Sequence, residues 1–402
     1  MFAVHSSEDP VNESRIEAYD FETGETKLIM EAAGNPVYAR TGHLLFARGS
    51  TLMAAPFDEV ALVVTGAAFP VVESIYMADP SGSMNFTISN DGTLAYTPEG
   101  NNPPHSTIVS VDRSGRESSI LDTARDFEGP RLSPDGQRIA VSLADADGGR
   151  DVWILDRTRG NLSRLTFDRF ASEIVWRSDG ERLAFAALGG GLAYNAFSTS
   201  ADGSGEPEPL TFERRVVWPT SFTPDGAGLI LSVLASHHKD IGYMELGTNA
   251  EMKYLLETDF DEISPRLSPD GRWLAYVSDE SGEREVYAQR FPDGGDKKQV
   301  SVNSGTEPVW SANGEELFFR EAERMMVVSI SSANRLTLGT PTVLFEGPYL
   351  PAWSNSLSAN YDVSADGEEF IMLRPEGGTL RQEIVIVLNW FDELERLVPT
   401  DH

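Results

Sequence analysis

A short turn written Pro-Asp-Gly, or a close variant of it, recurs along this chain and constrains its fold more than any other feature. Asp-Gly and Asn-Gly supply the positive φ that a tight hairpin turn requires. The glycines follow one another at intervals of 43 to 53 residues. The pattern therefore predicts eight similar units, each containing a β-hairpin. The eight turn glycines are Gly42, Gly92, Gly136, Gly180, Gly226, Gly271, Gly314 and Gly367.

Short apolar stretches around each turn indicate strands. One such stretch directly follows the turn, as at Leu183 to Phe185, and an alternating stretch comes next, as at Asp151 to Leu155. Four short strands in about 45 residues are typical of a propeller blade. The sequence therefore predicts an all-β fold, a β-propeller of four-stranded antiparallel blades. Eight blades fit the eight turns, with seven or nine as alternatives.

The repeats also suggest how the chain is organised. We expect a single propeller domain over residues 1–402, in which residues 35–389 are the repeats. Residues 1–34 predict a partial blade, because they contain three strands but no inner strand. Residues 390–402 form a C-terminal cap, where Trp390, Leu394 and Leu397 lie on one face of a short helix.

The charge of the chain limits its partners. There are 32 Lys and Arg against 63 Asp and Glu, which gives a net charge of -31. Such a surface repels phosphate backbones and anionic lipid, so nucleic-acid binding is excluded. The chain has no Cys, which rules out disulfides and thiolate metal sites. We find no signal peptide and no apolar run long enough to insert into a membrane, so we expect a soluble monomer.

Two phrases, Arg131 to Gly136 and Arg266 to Gly271, both read Arg-Leu-Ser-Pro-Asp-Gly. They resemble the TolB-like class of WD-type propeller repeat, and the resemblance extends over nearly the whole chain. More narrowly, Ser278 to Gly282 and the ending Ile384 to Trp390 resemble the propeller segment appended to bacterial membrane serine/threonine kinases. That resemblance implies an extracytoplasmic sensor. The chain has no Gly-rich ATP loop, His-Arg-Asp or Asp-Phe-Gly, so kinase activity does not carry over.

Aligning the repeats on their turn glycines predicts which side chains enter the central tunnel. The residue seven positions before the glycine is polar in most repeats, which predicts a tunnel mouth rich in carboxylate and amide oxygens. Hard cations favour such ligands, so this mouth is a candidate site for Ca²⁺ or another divalent cation. The alternative is that these side chains only solvate a water-filled channel. The candidate metal ligands are Asn35, Asn85, Glu173, Glu307 and Asn360.

Five positions before the glycine, charged side chains predict a second layer deeper in the tunnel. Arg131, Arg266 and Asp362 stand in this row and are candidate ligand-binding residues. A guanidinium group can bind an acidic ligand group through two hydrogen bonds. The alternative is that the arginines pair with Glu128 or Glu262 on a neighbouring strand.

A histidine pair gives the candidate catalytic residues. His237 and His238 fall on a loop at the same face as the predicted tunnel mouth, and Glu262 begins the next inner strand. Imidazole beside carboxylate can bind a metal and activate water, or act as a general base. A solvated loop is the alternative.

Two functions follow from these features. The first is a non-catalytic propeller that binds a small-molecule or protein ligand at the tunnel mouth, as a sensor does. The second is a metal-dependent hydrolase of phosphoesters, phosphotriesters or lactones. No Gly-x-Ser-x-Gly motif is present, which excludes a hydrolase of the nucleophile-elbow type in this chain.

Overall fold

A computed structural model gives the fold of the chain, which divides into two compact units. The first unit contains residues 1–104 and 381–402, and the second contains residues 105–380. The single domain expected over residues 1–402 stays a prediction. The structure describes residues 1–4, 14–21, 23–78, 83–98, 105–145, 149–167, 170–188, 193–235, 238–247, 251–331, 335–352, 357–376 and 383–400.

The first unit consists of small antiparallel sheets. Strands β1, β2 and β3 form one sheet, and β4 to β7 form a second, with β8 paired to β6. Strands β9 and β10 pair with each other. The strands are β1 (Phe2–Val4), β2 (Arg15–Tyr19), β3 (Thr26–Glu31), β4 (Gly34–Ala39), β5 (His43–Arg48), β6 (Thr51–Asp58), β7 (Val63–Val64), β8 (Phe69–Val72), β9 (Met77–Ala78), β10 (Ser83–Met84), β11 (Phe86–Ile88) and β12 (Leu94–Tyr96).

The second unit is built from longer strands. They are β13 (Ser106–Asp112), β14 (Glu117–Arg125), β15 (Phe127–Leu132), β16 (Arg138–Ala144), β17 (Arg150–Asp156), β18 (Leu162–Arg164), β19 (Ser172–Trp176), β20 (Arg182–Leu188), β21 (Tyr194–Ser200), β22 (Glu208–Pro209), β23 (Val217–Phe222), β24 (Gly228–Leu234), β25 (Lys239–Glu245), β26 (Lys253–Leu256), β27 (Glu262–Leu267), β28 (Trp273–Ser278), β29 (Glu285–Arg290), β30 (Lys298–Gln299), β31 (Gly305–Trp310), β32 (Glu316–Glu321), β33 (Arg324–Ser331), β34 (Thr337–Leu338), β35 (Thr342–Glu346), β36 (Tyr361–Val363) and β37 (Glu369–Pro375).

The chain then returns to the first unit. There β38 (Val385–Val387) pairs with β12 to complete the sheet β11-β12-β38. Helix α1 (Trp390–Leu397) follows, and it buries Trp390 and Leu394 against the sheets of this unit. The short C-terminal helix predicted from the apolar pattern is therefore confirmed.

The strands of the second unit form six blades. Blade 1 is β15 to β18, blade 2 is β19 to β22, blade 3 is β23 to β26 and blade 4 is β27 to β30. Blade 5 is β31 to β34, with β35 paired to β33. Blade 6 combines both ends of the unit, because β36 and β37 pair with β13 and β14. All the pairings are antiparallel, and the predicted all-β propeller is confirmed.

Blade 6 closes these six blades into a ring. Each inner strand contacts the next, and β36 contacts β15 on one side. On the other side the Tyr361 hydroxyl donates to the carbonyl of Glu307 in β31, at 2.9 Å. The ring closes after six blades because β13, at the start of the unit, pairs with β37 over seven successive residues.

All eight predicted hairpin turns are present, six in this ring and two in the first unit. In each turn the glycine N–H donates to the carbonyl three residues earlier, as from Gly136 to Ser133 at 2.8 Å. The eight glycines have φ between 68° and 87°, where a side chain would be strained. The Asp carboxylate fixes the turn, because it accepts the hydroxyl of Ser133 and the N–H of Gln137 in the first blade.

Apolar side chains between neighbouring blades form the core. The largest cluster lies between blades 4 and 5 and includes Trp273, Trp310 and Phe319. The residue four positions before the turn glycine packs here, as the alignment predicted. In blades 2 and 5 this residue is a tryptophan whose indole N–H also donates to the blade before, from Trp176 to the carbonyl of Arg131. No helix in the described part of the chain is long and apolar enough to span a membrane.

A candidate ligand site in the tunnel of the second unit

The polar row at the tunnel end is produced by a β-bulge in the inner strands. In blade 1 the pairing shifts by one residue between Glu128 and Arg131, and blades 2, 4 and 5 repeat this shift. The extra residue has a left-handed φ, for example 50° at Glu173 and 59° at Glu307. A bulge redirects the side chain it carries. The acidic side chains at this position reach the centre of the ring.

These carboxylates bind a segment of the chain that enters the ring. We call residues 349–360 the central segment, of which 349–352 and 357–360 are described. Both oxygens of Glu307 accept backbone N–H groups from it, Oε1 from Ala352 at 3.0 Å and Oε2 from Asn360 at 2.7 Å. Glu307 is 2% exposed, so these bonds are made away from bulk water.

Glu173 binds the same segment from the opposite side, because blades 2 and 5 face each other in a ring of six. Its Oε1 accepts the N–H of Leu357 at 3.2 Å, and its Oε2 accepts the hydroxyl of Ser358. Asn360 accepts the N–H of Gly129 at 2.8 Å and donates to the carbonyl of Leu350. The two carboxylates therefore fix the central segment at this end of the tunnel.

The structure brings together three of the five candidate metal ligands, namely Glu173, Glu307 and Asn360. The other two belong to the first unit, where Asn35 donates to the carbonyl of Met84 at 3.5 Å and Asn85 is exposed. Among the described residues, no three His, Asp or Glu side chains form a group that could hold a metal ion. The cation site stays a prediction.

Little free space remains beside the central segment. A cavity lined by Glu128, Gly129, Glu173 and Ser358 has a free volume of about 10 Å³. That volume is roughly the smallest that admits one water molecule. A ligand larger than water therefore has no room in this cavity.

Two arginines face each other deeper in the tunnel. Arg131 belongs to blade 1 and Arg266 to blade 4, which are opposite in a ring of six. Arg131 is 2% exposed and donates to Ser358 at 2.7 Å and to the carbonyl of Pro130 at 2.8 Å, while its Nε has no partner. Arg266 keeps part of its surface exposed and donates to the carbonyl of Thr220 at 3.1 Å.

Neither arginine forms an ion pair within 4 Å among the residues that the structure describes. The predicted alternative partners bind elsewhere. Glu128 lies 3.4 Å from Arg150, and Glu262 accepts the hydroxyl of Thr258 at 2.7 Å. The tunnel therefore contains two buried guanidinium groups that no carboxylate neutralises directly.

Burial shifts the pKa values of these groups. Burial lowers the pKa of Arg266 to about 10, and the positive charge of Arg131 acts in the same direction. The pKa of Arg131 is lowered by burial, against the charge of Asp362. Burial raises the pKa of Asp362, whose Oδ2 accepts the N–H of Leu132 at 2.7 Å. Both shifts in the arginines reflect the cost of a buried positive charge.

The candidate catalytic residues lie at the loops of blades 3 and 4. His237 lies outside the described residues. Nε2 of His238 is 3.6 Å from Oδ1 of Asp240, and the charge of Asp240 acts on Glu262. The structure therefore brings His238 and Glu262 together through Asp240, which the sequence analysis missed.

Two functional contacts escaped the sequence analysis. Ser358, which bonds to both Arg131 and Glu173, follows no repeat and carries no signal in the sequence. Asp240 does carry one. It occupies the same position of its blade as Asp151 and Glu285, so an alignment of the third strands would have found it.

Comparisons with known proteins agree with this fold. No protein-family model matches the chain. It is 30% identical over 167 residues to the uncharacterized peptidase YuxL of Bacillus subtilis, a match that covers 39% of this chain and 23% of that protein. The chain therefore matches about a quarter of the length of that curated relative.

Solved structures give the fold relation. The putative TolB from Agrobacterium tumefaciens matches 68% of this chain and 98% of its own chain, with a TM-score of 0.56 and 18% identity. TolB from Acinetobacter baumannii matches 61% of this chain and 65% of its own, with a TM-score of 0.46 and 20% identity. The predicted TolB-like propeller fold is confirmed. The narrower resemblance to kinase-appended propellers stays a prediction.

Proposed function

We propose that this chain is a non-catalytic, ligand-binding propeller whose tunnel recognises an acidic group of a small molecule or protein. Arg131 and Arg266 bind this group from opposite sides. The observation that supports the proposal is a pair of buried guanidinium groups that lack an ion-pair partner among the described residues.

An acidic ligand would offset an unfavourable arrangement of charge. Two buried positive charges repel each other, and neither has a carboxylate close enough to compensate for its lost hydration. A carboxylate or phosphate between them accepts hydrogen bonds from both. Asp362, Glu173 and Glu307 also act on this region, so a small group of one or two negative charges fits better than a polyanion.

The ligand enters at the end of the tunnel where the Asp-Gly turns lie. The other end holds the central segment, which is bonded to Glu173 and Glu307. At the turn end, Ser221 and Asp362 keep part of their surface exposed. The binding site is thus deeper than the tunnel mouth that the sequence predicted, and it opens toward the opposite face.

Titration with inorganic phosphate and with acetate tests this function. We expect saturable binding by calorimetry and a rise in the melting temperature of the full chain with ligand concentration. Arg266→Met should weaken phosphate binding about tenfold or more. Without ligand it should leave the melting temperature unchanged or higher, because it removes an unpaired buried charge.

Arg113→Met is the matched control. Arg113 makes a two-bonded ion pair with Glu316 at 2.9 Å, away from the tunnel, so the variant should lose stability but keep phosphate affinity. Equal phosphate binding by wild type and Arg266→Met would refute the proposed site.

A metal-dependent hydrolase is the second candidate function. Its support is the proximity of His238, Asp240 and Glu262. The match to a peptidase extends over 23% of that protein and concerns a propeller-forming chain here, so peptidase activity is not proposed. Elemental analysis after dialysis tests the hydrolase. One tightly held divalent metal per chain would favour it over the binding module.

A further inference from the structure

Three blades of the ring have the same hydrogen-bonded network at the start of the third strand. In each, an acidic or amide side chain accepts the hydroxyl of a Thr or Ser on the segment that follows the fourth strand. That hydroxyl also accepts a backbone N–H, so the buried polar groups are satisfied. The pairs are Asp151 with Thr166, Asn195 with Thr211, and Glu285 with Ser301.

Blade 3 departs from this network. Asp240 stands at the equivalent position, but the residues that align with Thr166 and Thr211 are leucines, Leu255 and Leu256. Asp240 is 1% exposed, and its Oδ1 has no hydrogen-bond partner in the part of the chain that is described. Nε2 of His238, at 3.6 Å, is too far for a hydrogen bond.

Glu262, on the adjacent inner strand, has the same defect. It is 1% exposed, its Oε1 accepts Thr258 Oγ1 at 2.7 Å and Ser278 Oγ at 3.4 Å, and its Oε2 has no partner among the described residues. Thr258 connects the two acids, because its backbone N–H bonds to Asp240 and its hydroxyl bonds to Glu262. One residue therefore holds both carboxyl groups close together.

The charges around the pair do not neutralise it. His238, Glu257 and Arg215 act on Asp240, whereas Asp240 and Lys297 act on Glu262. Nearby Asp261 accepts the N–H of Lys239, and Asp279 accepts the N–H of Asp261. No Lys or Arg lies within 4 Å of either carboxyl group in the described structure.

We propose that the folded protein holds a proton on the Asp240–Glu262 pair at neutral pH. A proton occupies the position that the Thr or Ser hydroxyl hydrogen has in the other blades, and it gives one of the two unpartnered oxygens a donor. Burial raises the pKa of both carboxyl groups, in agreement with this placement. A proton is also the one cation that needs no free space around oxygens that are closed to solvent.

The melting temperature of the full chain between pH 5 and pH 9 tests the proposal. A carboxyl group with a raised pKa in the folded state loses stability as the pH rises through that pKa. Wild type should therefore melt lower at pH 8 than at pH 5.5. Glu262→Gln carries permanent N–H donors, so it should melt several degrees above wild type at pH 8 and near it at pH 5.5. Asp240→Asn should behave in the same way.

Glu285→Gln is the matched control in blade 4. Its carboxylate is fully bonded, accepting Ser301 Oγ and the N–H groups of Ser304 and Gly305. This variant should melt below wild type at both pH values. Equal pH dependence of wild type, Glu262→Gln and Asp240→Asn would overturn the proposal. So would a rise in the melting temperature of wild type with Ca²⁺ that both variants abolish, because the site would then bind a metal.

Discussion

At the scale of single residues, the polar side chains of the tunnel differ in what they bind. The aligned turns correctly predicted that Glu173 and Glu307 point to the centre of the ring, because a strand fixes the direction of each side chain. Their partners lie far away in sequence, since Glu307 bonds to Ala352 and Glu173 to Leu357. No periodicity predicts such contacts. The sequence therefore predicted the orientation of these carboxylates but not the segment that they hold.

A substitution of Glu307 separates the structural role from a metal-binding role. Glu307→Gln keeps one carbonyl oxygen but replaces the other acceptor with an NH₂ group, which cannot accept the N–H of Asn360 or Ala352. One buried N–H then loses its partner, at a cost of about 1–3 kcal/mol of unfolding free energy. Urea denaturation followed by tryptophan fluorescence measures this loss.

The exposed Glu323→Gln serves as the control and should leave the unfolding free energy within about 0.5 kcal/mol of wild type. If Glu307→Gln is as stable as this control, the carboxylate does not anchor the central segment. A change in stability that depends on added Ca²⁺ would instead return Glu307 to the predicted cation site.

At the scale of strands and blades, the repeat predicted the hairpins but not the closure. Every turn glycine marks a hairpin in the structure, because the positive φ is a local requirement. The pairing of β13 with β37 joins residues more than 250 positions apart, and neither strand differs in composition from strands that pair locally. For this reason eight turns could be counted from the sequence, whereas a ring of six with its own closure could not be deduced.

Proline in β13 tests the closure. This strand has a partner on each side, β14 and β37, so every backbone N–H within it donates to one of them. Val109→Pro removes one N–H from the middle of the sheet, which should cost about 3 kcal/mol or more. We expect the melting temperature to fall and amide hydrogen exchange to accelerate in both β13 and β37.

Ser118→Ala, on the outer strand β14, is the control for that change, because its side chain is exposed and its backbone N–H is kept. Rapid exchange confined to β13 and β14 would mean that β37 is held by β36 alone. In that case the two ends of the unit would not depend on each other, contrary to the closure seen in blade 6.

At the scale of the whole molecule, the repeated turn couples the stability of many blades to pH. Hydrogen bonds from a Ser or Thr hydroxyl and from a backbone N–H lower the pKa of Asp135, Asp225 and Asp366, each in the turn of a different blade. A carboxyl group whose pKa is lower in the folded state stabilises the fold above its unfolded pKa. That stabilisation is lost as the pH falls through the folded pKa.

We therefore expect the melting temperature to decline steeply below about pH 4, the ordinary pKa of Asp. The triple variant Asp135→Asn, Asp225→Asn, Asp366→Asn keeps an oxygen acceptor in each turn but has no proton to gain. It should lose less melting temperature between pH 5 and pH 3 than wild type. Both proteins carry a large excess of acidic residues, so relief of charge repulsion on acidification acts on both. Identical acid limbs would show that the turns do not set the lower pH limit and would leave other carboxylates, such as Glu173 and Glu307, as its cause.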